Sequence, residues 1–583
     1  MMKLNNKHLV LPYIIGITWL LCHPIISVIT GEFKCRGIFT DEHQLDLHNY
    51  DTEMYPNLTE IFKTPIHTGR KHNMCSVLDA IVNDEISSSE LSKSFTSPTI
   101  TCHEETSFQV VKIEPSLAPT SPLEALVVVL PKPDTAILES GIHKSILILV
   151  SRLVRSPYLA KTMLFVMCDD EVDTCLNNFL VSFGANSPTG GHRNKKQKSF
   201  HSIHTFSYAK YFIRQLIVLD VHDSVDYNTS TQSKFRILTQ GIKGLLPNLD
   251  FVSTALVSMN YYYRYPVQMH PYDLSWWDQH YVPKYFSSER YGSDLGQMGA
   301  FMLSAILSPG PHSQALEEGI DSLTIQARLP RQNQAPHLIE NEMTSLVRGL
   351  EHILRGLNSL QEVLHHNHDQ YILPSASKFV SHSEYILPAV LVLLPLALRI
   401  LLLIIQDIER FQFVKVFSAI GGAMVLSCIL LLARSFTNDE VILNSVMFSS
   451  YAFALQFMTY TTTKSLEKEE RQSLQLLMCL LAIYIHVPLV LAHISLGMLS
   501  AIVMVPILAF YSFKNRKGLL AGILLILTLP PVTKNILIMI LPRIDSINDL
   551  IDVTVLRGIN TVSSYSCCIF IPLHFLLAVT CFC

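Results

Sequence analysis

The stretches ALVVVL at 125–130, TMLFVMC at 162–168 and RQLIVLDV at 214–221 decide the fold of this 583-residue chain. Each is a short run rich in β-branched and other apolar residues, which is typical of a strand buried on both faces of a sheet. GIHKSILILVSRLV at 141–154 lies between the first two, and its apolar spacing predicts a helix. Strand, helix and strand in this order predict a parallel α/β sheet with right-handed crossovers. FRIL at 235–238 is expected to add another buried strand.

Long apolar runs flank this sheet on both sides. The whole chain is 49% hydrophobic and 16% charged with a net charge of −4, and no basic stripe indicates a nucleic-acid partner. The first run, residues 9–30, follows Lys3 and Lys7 and is long enough to cross a bilayer. It predicts a transmembrane signal anchor, with residues 1–8 in the cytosol.

Residues 385–583 predict a membrane domain of about seven further spans. The short loops assigned to the cytosol carry basic residues such as Lys464 and Lys514, whereas the luminal turns SFTND and HISLG carry none. This asymmetry follows the positive-inside rule. Arg399, inside one span, is expected to extend towards the membrane interface. The predicted spans lie near 385–405, 413–434, 440–461, 474–493, 495–513, 518–541 and 564–583.

Residues 31–384 form the predicted luminal domain, which is long enough to have its own core. Two glycosylation sequons, at Asn57 and Asn228, agree with a luminal location. An oxidising lumen permits disulfides, but spacing alone does not give the pairing. The cysteines of this segment are Cys35, Cys75, Cys102, Cys168 and Cys175.

The carboxyl ends of parallel strands are where α/β proteins place their chemistry, and here they read LPKPDT at 130–135 and CDDEVD at 168–173. A two-metal aminopeptidase on such a sheet needs a His-x-Asp sequence after the first strand. LPKPDT contains no histidine, so the sequence favours a sheet that keeps this shape without the metals. Cys168 and Cys175 are expected to be structural thiols or a disulfide.

LHHNHDQY at 364–371 is the other candidate site. It follows MTSLVRGLEHILRGLNSLQEVL at 343–364, whose apolar residues recur at the spacing of an amphipathic helix. If the helix continues, His365 and Asp369 lie one turn apart, and two or three ligands could meet there. A metal site and a polar helix end near the membrane both fit this pattern.

Several segments in the same order resemble the GPI-anchor attachment protein, the Gaa-type subunit of the GPI transamidase. They extend from the N-terminal anchor to the entry of the second span, and the layout of spans continues the resemblance. The segments are GITW (16–19), RGIFTDE (36–42), GIKGLLPNLDFV (241–252), GPHSQ…GIDSLTI (310–325), LNSLQEVLHHNHDQYILPSASKFVS (357–381) and SEYILPAV (383–390).

The resemblance implies a luminal domain similar to a zinc aminopeptidase that has lost its catalytic ligands. It implies a non-catalytic subunit in the endoplasmic reticulum membrane that binds the GPI lipid and presents it. A caspase-like partner subunit then cuts the C-terminal peptide of the pro-protein and transfers it to the lipid. By position, Ile38 and Thr40 would contact the lipid, although the family has tyrosine where Ile38 stands.

The resemblance also implies a divalent ion, Mg²⁺ or Zn²⁺, at His365, His366 and Asn367. The second imidazole in this set suits zinc better than magnesium. Two other hypotheses remain: a membrane-anchored metallo-aminopeptidase and a polytopic transporter. The missing histidine disfavours the first, and the lack of internal repeats disfavours the second.

Overall fold

The computed structural model describes much of the chain and separates it into two compact units. The sheet unit comprises Glu32–Pro271 and Pro309–Phe379, and the helical unit comprises Met1–Gly31, Tyr272–Ser308 and Val380–Cys583. The described residues are 6–30, 99–104, 108–115, 123–130, 145–146, 149–150, 152–153, 159–168, 172–183, 211–223, 234–241, 244–262, 267, 297–299, 301–302, 304–305, 310–329, 336–359, 370–375, 378–407, 421, 425 and 468–510.

The sheet unit is built on a seven-stranded sheet in the order β1-β2-β4-β3-β5-β7-β6. Its central strands β4, β3, β5 and β7 run parallel to one another, which confirms the predicted parallel α/β sheet. The outer strands β1, β2 and β6 are antiparallel to their neighbours. The strands are β1 (Thr99–Glu104), β2 (Phe108–Glu114), β3 (Leu123–Leu130), β4 (Thr162–Cys168), β5 (Tyr211–Asp223), β6 (Lys234–Leu238) and β7 (Asp321–Leu329).

The predicted strands are all present. FRIL forms most of β6, an edge strand that runs antiparallel to β7. Every residue of β4 is buried, because it has a strand on either side and a helix against its face. β2 instead leaves Gln109 and Lys112 half-buried, as expected nearer the edge of a sheet. Phe108 of β2 meets Phe179 edge to face at 5.9 Å between ring centroids, which joins the sheet to the helix after β4.

Helices cover the sheet, and the predicted helix at 141–154 is helical at its described positions. The stripe predicted for 343–364 is confirmed within its described part, 345–359, where Leu346, Leu350 and Leu357 are buried. The helices are α2 (Val172–Phe183), α3 (Leu249–Tyr262), α4 (Ser313–Glu317) and α5 (Pro336–Ser359). β8 (Tyr371–Ser375) and β9 (Lys378–Ser381) form a separate two-stranded sheet.

Among the described residues of the helical unit, two helices are long and apolar enough to cross a membrane. These segments, His382–Ile405 and Gln472–Ala492, coincide with two of the predicted spans. The described helices are α1 (Asn6–Thr30), α6 (His382–Asp407), α7 (Lys468–Ala492) and α8 (Ile494–Val505), which continues as a π-helix over Pro506–Phe510. The predicted spans at 413–434, 440–461, 518–541 and 564–583 lie outside the described residues, apart from positions 421 and 425.

α1, the predicted signal anchor, packs closely on α6. A Cβ built on Gly16 would lie 2.9 Å from both the Pro388 carbonyl oxygen and the Val392 nitrogen, so the two backbones touch here. Small residues permit such close packing between apolar helices. The Tyr13 hydroxyl also donates to the Ile502 carbonyl at 2.7 Å. α1 is therefore a packed member of this helical unit.

His493 forms the tight junction between α7 and α8. Its imidazole accepts a hydrogen bond from the Leu496 amide at 3.3 Å, so it caps the amino end of α8. A side-chain acceptor at this position satisfies an amide that the helix itself cannot. The boundary between the predicted spans 474–493 and 495–513 is therefore at His493.

Candidate functional site

The carboxyl edge of the parallel strands is the first candidate site, and a disulfide lies at the end of β4. β4 ends at Cys168, which is bonded to Cys175 in α2. Both cysteines are buried. Their disulfide ties the end of β4 covalently to α2, the helix that packs on it. This confirms the expectation of structural sulfurs, and Cys168 has no free thiol to act as a nucleophile. The acidic residues 169–171 and the segment 131–135 lie outside the described residues.

Asp220, near the end of β5, is a described carboxylate close to this edge. Gln326 of β7 donates from its amide nitrogen to Asp220 Oδ2 at 3.2 Å, and the two residues are paired in the parallel register. Within the described ranges, no group of three or more His, Cys, Asp or Glu side chains is arranged to hold a metal ion.

The site residues predicted from the sequence cannot be located in this structure. All of them fall in segments outside the described residues, so each stays a prediction. They are the lipid-contact candidates Ile38 and Thr40, the glycosylation candidates Asn57 and Asn228, and the metal candidates His365, His366 and Asn367.

The segments 241–252 and 310–325 meet at the opposite, amino edge of the parallel strands. The Asn248 amide donates to Asp321 Oδ1 at 3.0 Å, where Asp321 is the first residue of β7. Asn248 Oδ1 accepts from the Asp250 amide at 2.8 Å, so the same side chain caps α3. The Tyr371 hydroxyl of β8 donates to the Pro247 carbonyl at 2.9 Å. These contacts tie α3, β7 and β8 together.

His312 lies fully buried in this amino-edge cluster. Its Nδ1 is 2.8 Å from the Thr324 hydroxyl, and its carbonyl accepts from the Ser322 hydroxyl at 2.9 Å. A Cβ on Gly310 would lie 2.5 Å from the imidazole ring, so only glycine leaves room for the ring. Burial lowers the pKa of His312 to about 3, with a partial offset from a hydrogen bond to the Thr239 backbone. The imidazole is therefore neutral near neutral pH.

These segments form a tightly packed core that is held together by the hydrogen bonds described above. In open α/β sheets ligands bind at the carboxyl edge, not at the amino edge. Two of the segments that resemble the GPI-anchor attachment protein, 241–252 and 310–325, therefore hold α3, β7 and β8 together.

Glu124 is the centre of an ion cluster at the amino ends of β3, β4 and β5. Arg214 Nη2 lies 2.8 Å from Glu124 Oε1, and Lys161 Nζ lies 3.3 Å from Glu124 Oε2. Burial alone would raise the pKa of Glu124, but the hydrogen bond from Arg214 and the two positive charges outweigh it and lower the pKa. Burial lowers the pKa of Lys161, and Glu124 offsets part of that change.

Glu351 is the centre of a second ion cluster, which joins α5 to Arg152, one of the described helical residues between β3 and β4. Arg152 Nε lies 2.9 Å from one carboxylate oxygen, and Arg355 Nη2 lies 2.9 Å from the other. Asn358, two turns further along α5, accepts from the amides of Ala160 and Lys161 at 3.0 Å each. α5 is thus fixed to the start of β4 by polar contacts as well as by its apolar stripe.

Sequence reasoning missed these polar contacts, although one signal was present. Glu351 and Arg355 stand four residues apart, which is the spacing of an ion pair within one helix. The partners Arg152 and Ala160 are about two hundred residues away, and no local pattern indicates them.

Comparison with protein families identifies the chain. The model of the family "Gaa1-like, GPI transamidase component" matches residues 120–570, which include β3 to β9 and all the described helices except α1. The comparison with curated proteins finds no match. Because the family match covers more than half of the sequence, the chain belongs to the Gaa1-like GPI transamidase component family.

Proposed function

We propose that the chain is a non-catalytic subunit of the GPI transamidase in the endoplasmic reticulum membrane. It binds the GPI lipid and presents it for attachment to the C-terminus of pro-proteins. A caspase-like cysteine protease subunit cuts the C-terminal signal peptide and transfers the protein to the lipid. The observation that carries this proposal is the family match over residues 120–570.

The non-catalytic role is supported by the residues at the strand ends. The first parallel strand, β3, continues into LPKPDT, which lacks the histidine that a two-metal aminopeptidase needs. Cys168 at the end of β4 is held in a disulfide. These features favour a scaffold over the alternative function, a membrane-anchored metallo-aminopeptidase.

The lipid-binding role is assigned to Ile38 and Thr40, which follow α1 in sequence. A divalent ion, Mg²⁺ or Zn²⁺, is proposed at His365, His366 and Asn367. Elemental analysis of the purified chain tests the ion, since His366→Ala should lose it and the neighbouring His368→Ala should retain it. Equal metal content in the two variants would contradict the assignment.

A rescue experiment in cells depleted of the chain distinguishes the lipid-presenting subunit from the metallo-aminopeptidase. The readout is a GPI-anchored reporter at the cell surface, measured by flow cytometry with the expression of each variant matched to wild type. If the chain presents the GPI lipid, we expect the Asp169→Asn/Asp170→Asn double variant to restore the reporter and Thr40→Tyr not to restore it. If the chain is a hydrolase, we expect Thr40→Tyr to restore the reporter and the double variant to fail, because the acidic residues that follow β4 would then be needed for catalysis.

A further inference from the structure

Tyr484 presents a phenol on the outer face of α7, near the middle of a candidate membrane span. The span covers Gln472–Ala492, and the tyrosine is 78% exposed. At a rise of about 1.5 Å per residue, Tyr484 is about 18 Å from Gln472 and about 12 Å from Ala492. Helical side chains lean towards the amino end of their helix, which carries this hydroxyl away from the nearer end of the span. We therefore expect the hydroxyl near the centre of a bilayer whose hydrocarbon core is about 30 Å thick.

Tyr484 belongs to an exposed stripe along α7. Leu480, Val487 and Leu491 are 46%, 42% and 43% exposed. Together with Tyr484 they follow one another by four, three and four residues, so they lie on one side of the helix. This is the spacing of the seam along which two helices pack in left-handed bundles, including those in membranes. The stripe is about 17 Å long, which is enough for a neighbouring helix to pack over three turns.

The opposite face of α7 is fixed inside the helical unit. Gln475 accepts from Arg399 Nη2 at 3.1 Å and donates to the Leu508 carbonyl at 3.1 Å. His486 Nδ1 lies 2.8 Å from a carbonyl oxygen of its own helix. At about 100° per residue, Gln475 and His486 are about 180° and 160° around the helix from Tyr484. The polar contacts that hold α7 in this unit therefore lie on the side away from the stripe.

An exposed phenol at this depth is poorly suited to a lipid-facing position. Acyl chains offer no hydrogen-bond acceptor, and within the described residues the Tyr484 hydroxyl has none either. Lipid-facing tyrosines concentrate at the membrane boundaries, where the hydroxyl reaches water or headgroups. α6 shows the contrast, because its exposed side chains between Leu387 and Ile405 are all apolar. Tyr484 therefore indicates a protein neighbour that supplies an acceptor.

A helix of another subunit is the neighbour that these observations favour. The chain belongs to a family of GPI transamidase components, so membrane helices of other subunits are available to pack on it. Between membrane helices, Ser, Thr, Asn and Gln side chains supply the hydrogen-bonding oxygens. A phenol is an O–H donor that can bond to any of these oxygens.

We infer that the α7 stripe, made of Leu480, Tyr484, Val487 and Leu491, packs against a transmembrane helix of another transamidase subunit. The Tyr484 hydroxyl donates to a Ser, Thr, Asn or Gln oxygen near the middle of that helix. The inference rests on the proposed function, because it requires α7 to span the membrane within the assembled transamidase.

Photo-crosslinking of the full chain in endoplasmic reticulum membranes tests this surface. The photoreactive residue p-benzoylphenylalanine replaces Val487, which keeps Tyr484 in place, and the same replacement of Leu401 on α6 is the matched control. Mass spectrometry identifies the adducts. We expect the Val487 probe to join a membrane helix of another subunit that carries Ser, Thr, Asn or Gln near its middle, and the Leu401 probe not to join it. A probe at Leu491 repeats the test on the same stripe.

Tyr484→Phe tests the hydrogen bond separately, because it removes only the hydroxyl. The readout is the half-life of the identified subunit on the immobilised, unirradiated complex in mild detergent. We expect this half-life to fall about threefold, as for the loss of one hydrogen bond between membrane helices. Leu401→Ala should keep the wild-type half-life. An unchanged half-life in Tyr484→Phe would overturn the proposed contact.

The identity of the adduct decides between the possible neighbours of the stripe. Adducts with lipid alone would show that the stripe faces the bilayer, and adducts with a second copy of the chain would show self-association. Adducts with another segment of the same chain would show an internal contact. Each of these three results would overturn the inference.

Recovery of the other subunits separates this inference from the proposed function. If the purified complex contains the caspase-like subunit and GPI lipid but the probes join no other subunit, only the docking surface is overturned. If the chain is recovered without any other subunit, both proposals are overturned.

Discussion

His312 shows how packing around a buried imidazole controls its protonation. It contacts Thr324 and is fitted against Gly310, and its pKa is lowered to about 3 because burial disfavours the charged imidazole. The unfolded chain, with a histidine pKa of about 6.5, takes up a proton first as the pH falls. Stability is therefore complete above that pH and declines as the pH falls towards 3.

His312→Gln tests this linkage. The variant removes the titrating group, so its stability should depend less on pH, by up to about 1.4 kcal/mol per pH unit between pH 6.5 and 5. The measurement is hydrogen exchange of β7 peptides in wild type and variant across that interval. Gln314→Ala, on the same short helix, is the control and should keep the wild-type slope. Identical slopes for wild type and His312→Gln would show that this histidine takes up its proton as readily in the fold as in the unfolded chain.

Whether a side-chain contact can be predicted from sequence depends on how far apart its residues are along the chain. A structural role for Cys168 and Cys175, as thiols or as a disulfide, could be expected from sequence, whereas their pairing could not be read from spacing. The double acceptor role of Asn358 could not, because its partners Ala160 and Lys161 are about two hundred residues away in sequence. Only the folded chain brings such groups together.

The strongest hydrophobic patterns in the sequence predict the central strands of the sheet and the apolar stripe of α5. β3, β4 and β5 are continuous apolar runs and were found from sequence, as was the stripe of α5. β7, DSLTIQARL, was missed as a strand because its polar residues interrupt the run. β2, FQVVKIE, alternates apolar and polar residues in part, a signal that could have revealed it.

Glu351 allows the attachment of α5 to be tested as an element. Glu351→Gln leaves Arg152 and Arg355 facing one another without their carboxylate, and breaking a buried pair costs about 3 kcal/mol. We expect faster hydrogen exchange along α5 and a lower thermal transition. Arg355→Gln is the matched control, because the pair between Glu351 and Arg152 survives it and the expected loss is about 1 kcal/mol. Equal effects of the two variants would contradict the central role of Glu351.

The arrangement of the whole chain about the membrane is predicted by the sequons. If residues 31–384 are luminal, Asn57 and Asn228 face the glycosylation machinery. Endoglycosidase treatment should increase the mobility of the wild-type chain on a gel. Asn57→Gln and Asn228→Gln should each remove one glycan step, and the double variant should be insensitive. An untreated chain that already migrates as the double variant does would place this segment outside the lumen or leave both sites unused.

The family could be recognised before the structure because the resembling segments occur in the right order along the chain. The structure then explains two of them, since 241–252 and 310–325 meet at the amino edge of the sheet around Asn248, Asp321 and His312. The candidate lipid and metal residues could be proposed only by position. These candidate residues themselves lie outside the described residues.

Affinity purification of the tagged chain from endoplasmic reticulum membranes in mild detergent tests the central claim most directly. Mass spectrometry of the eluate identifies both the proteins and the lipids that come with the chain. Membership of the transamidase predicts recovery of a caspase-like cysteine protease subunit together with GPI lipid. Recovery of the chain alone, from membranes in which that protease and GPI are both present, would contradict the account.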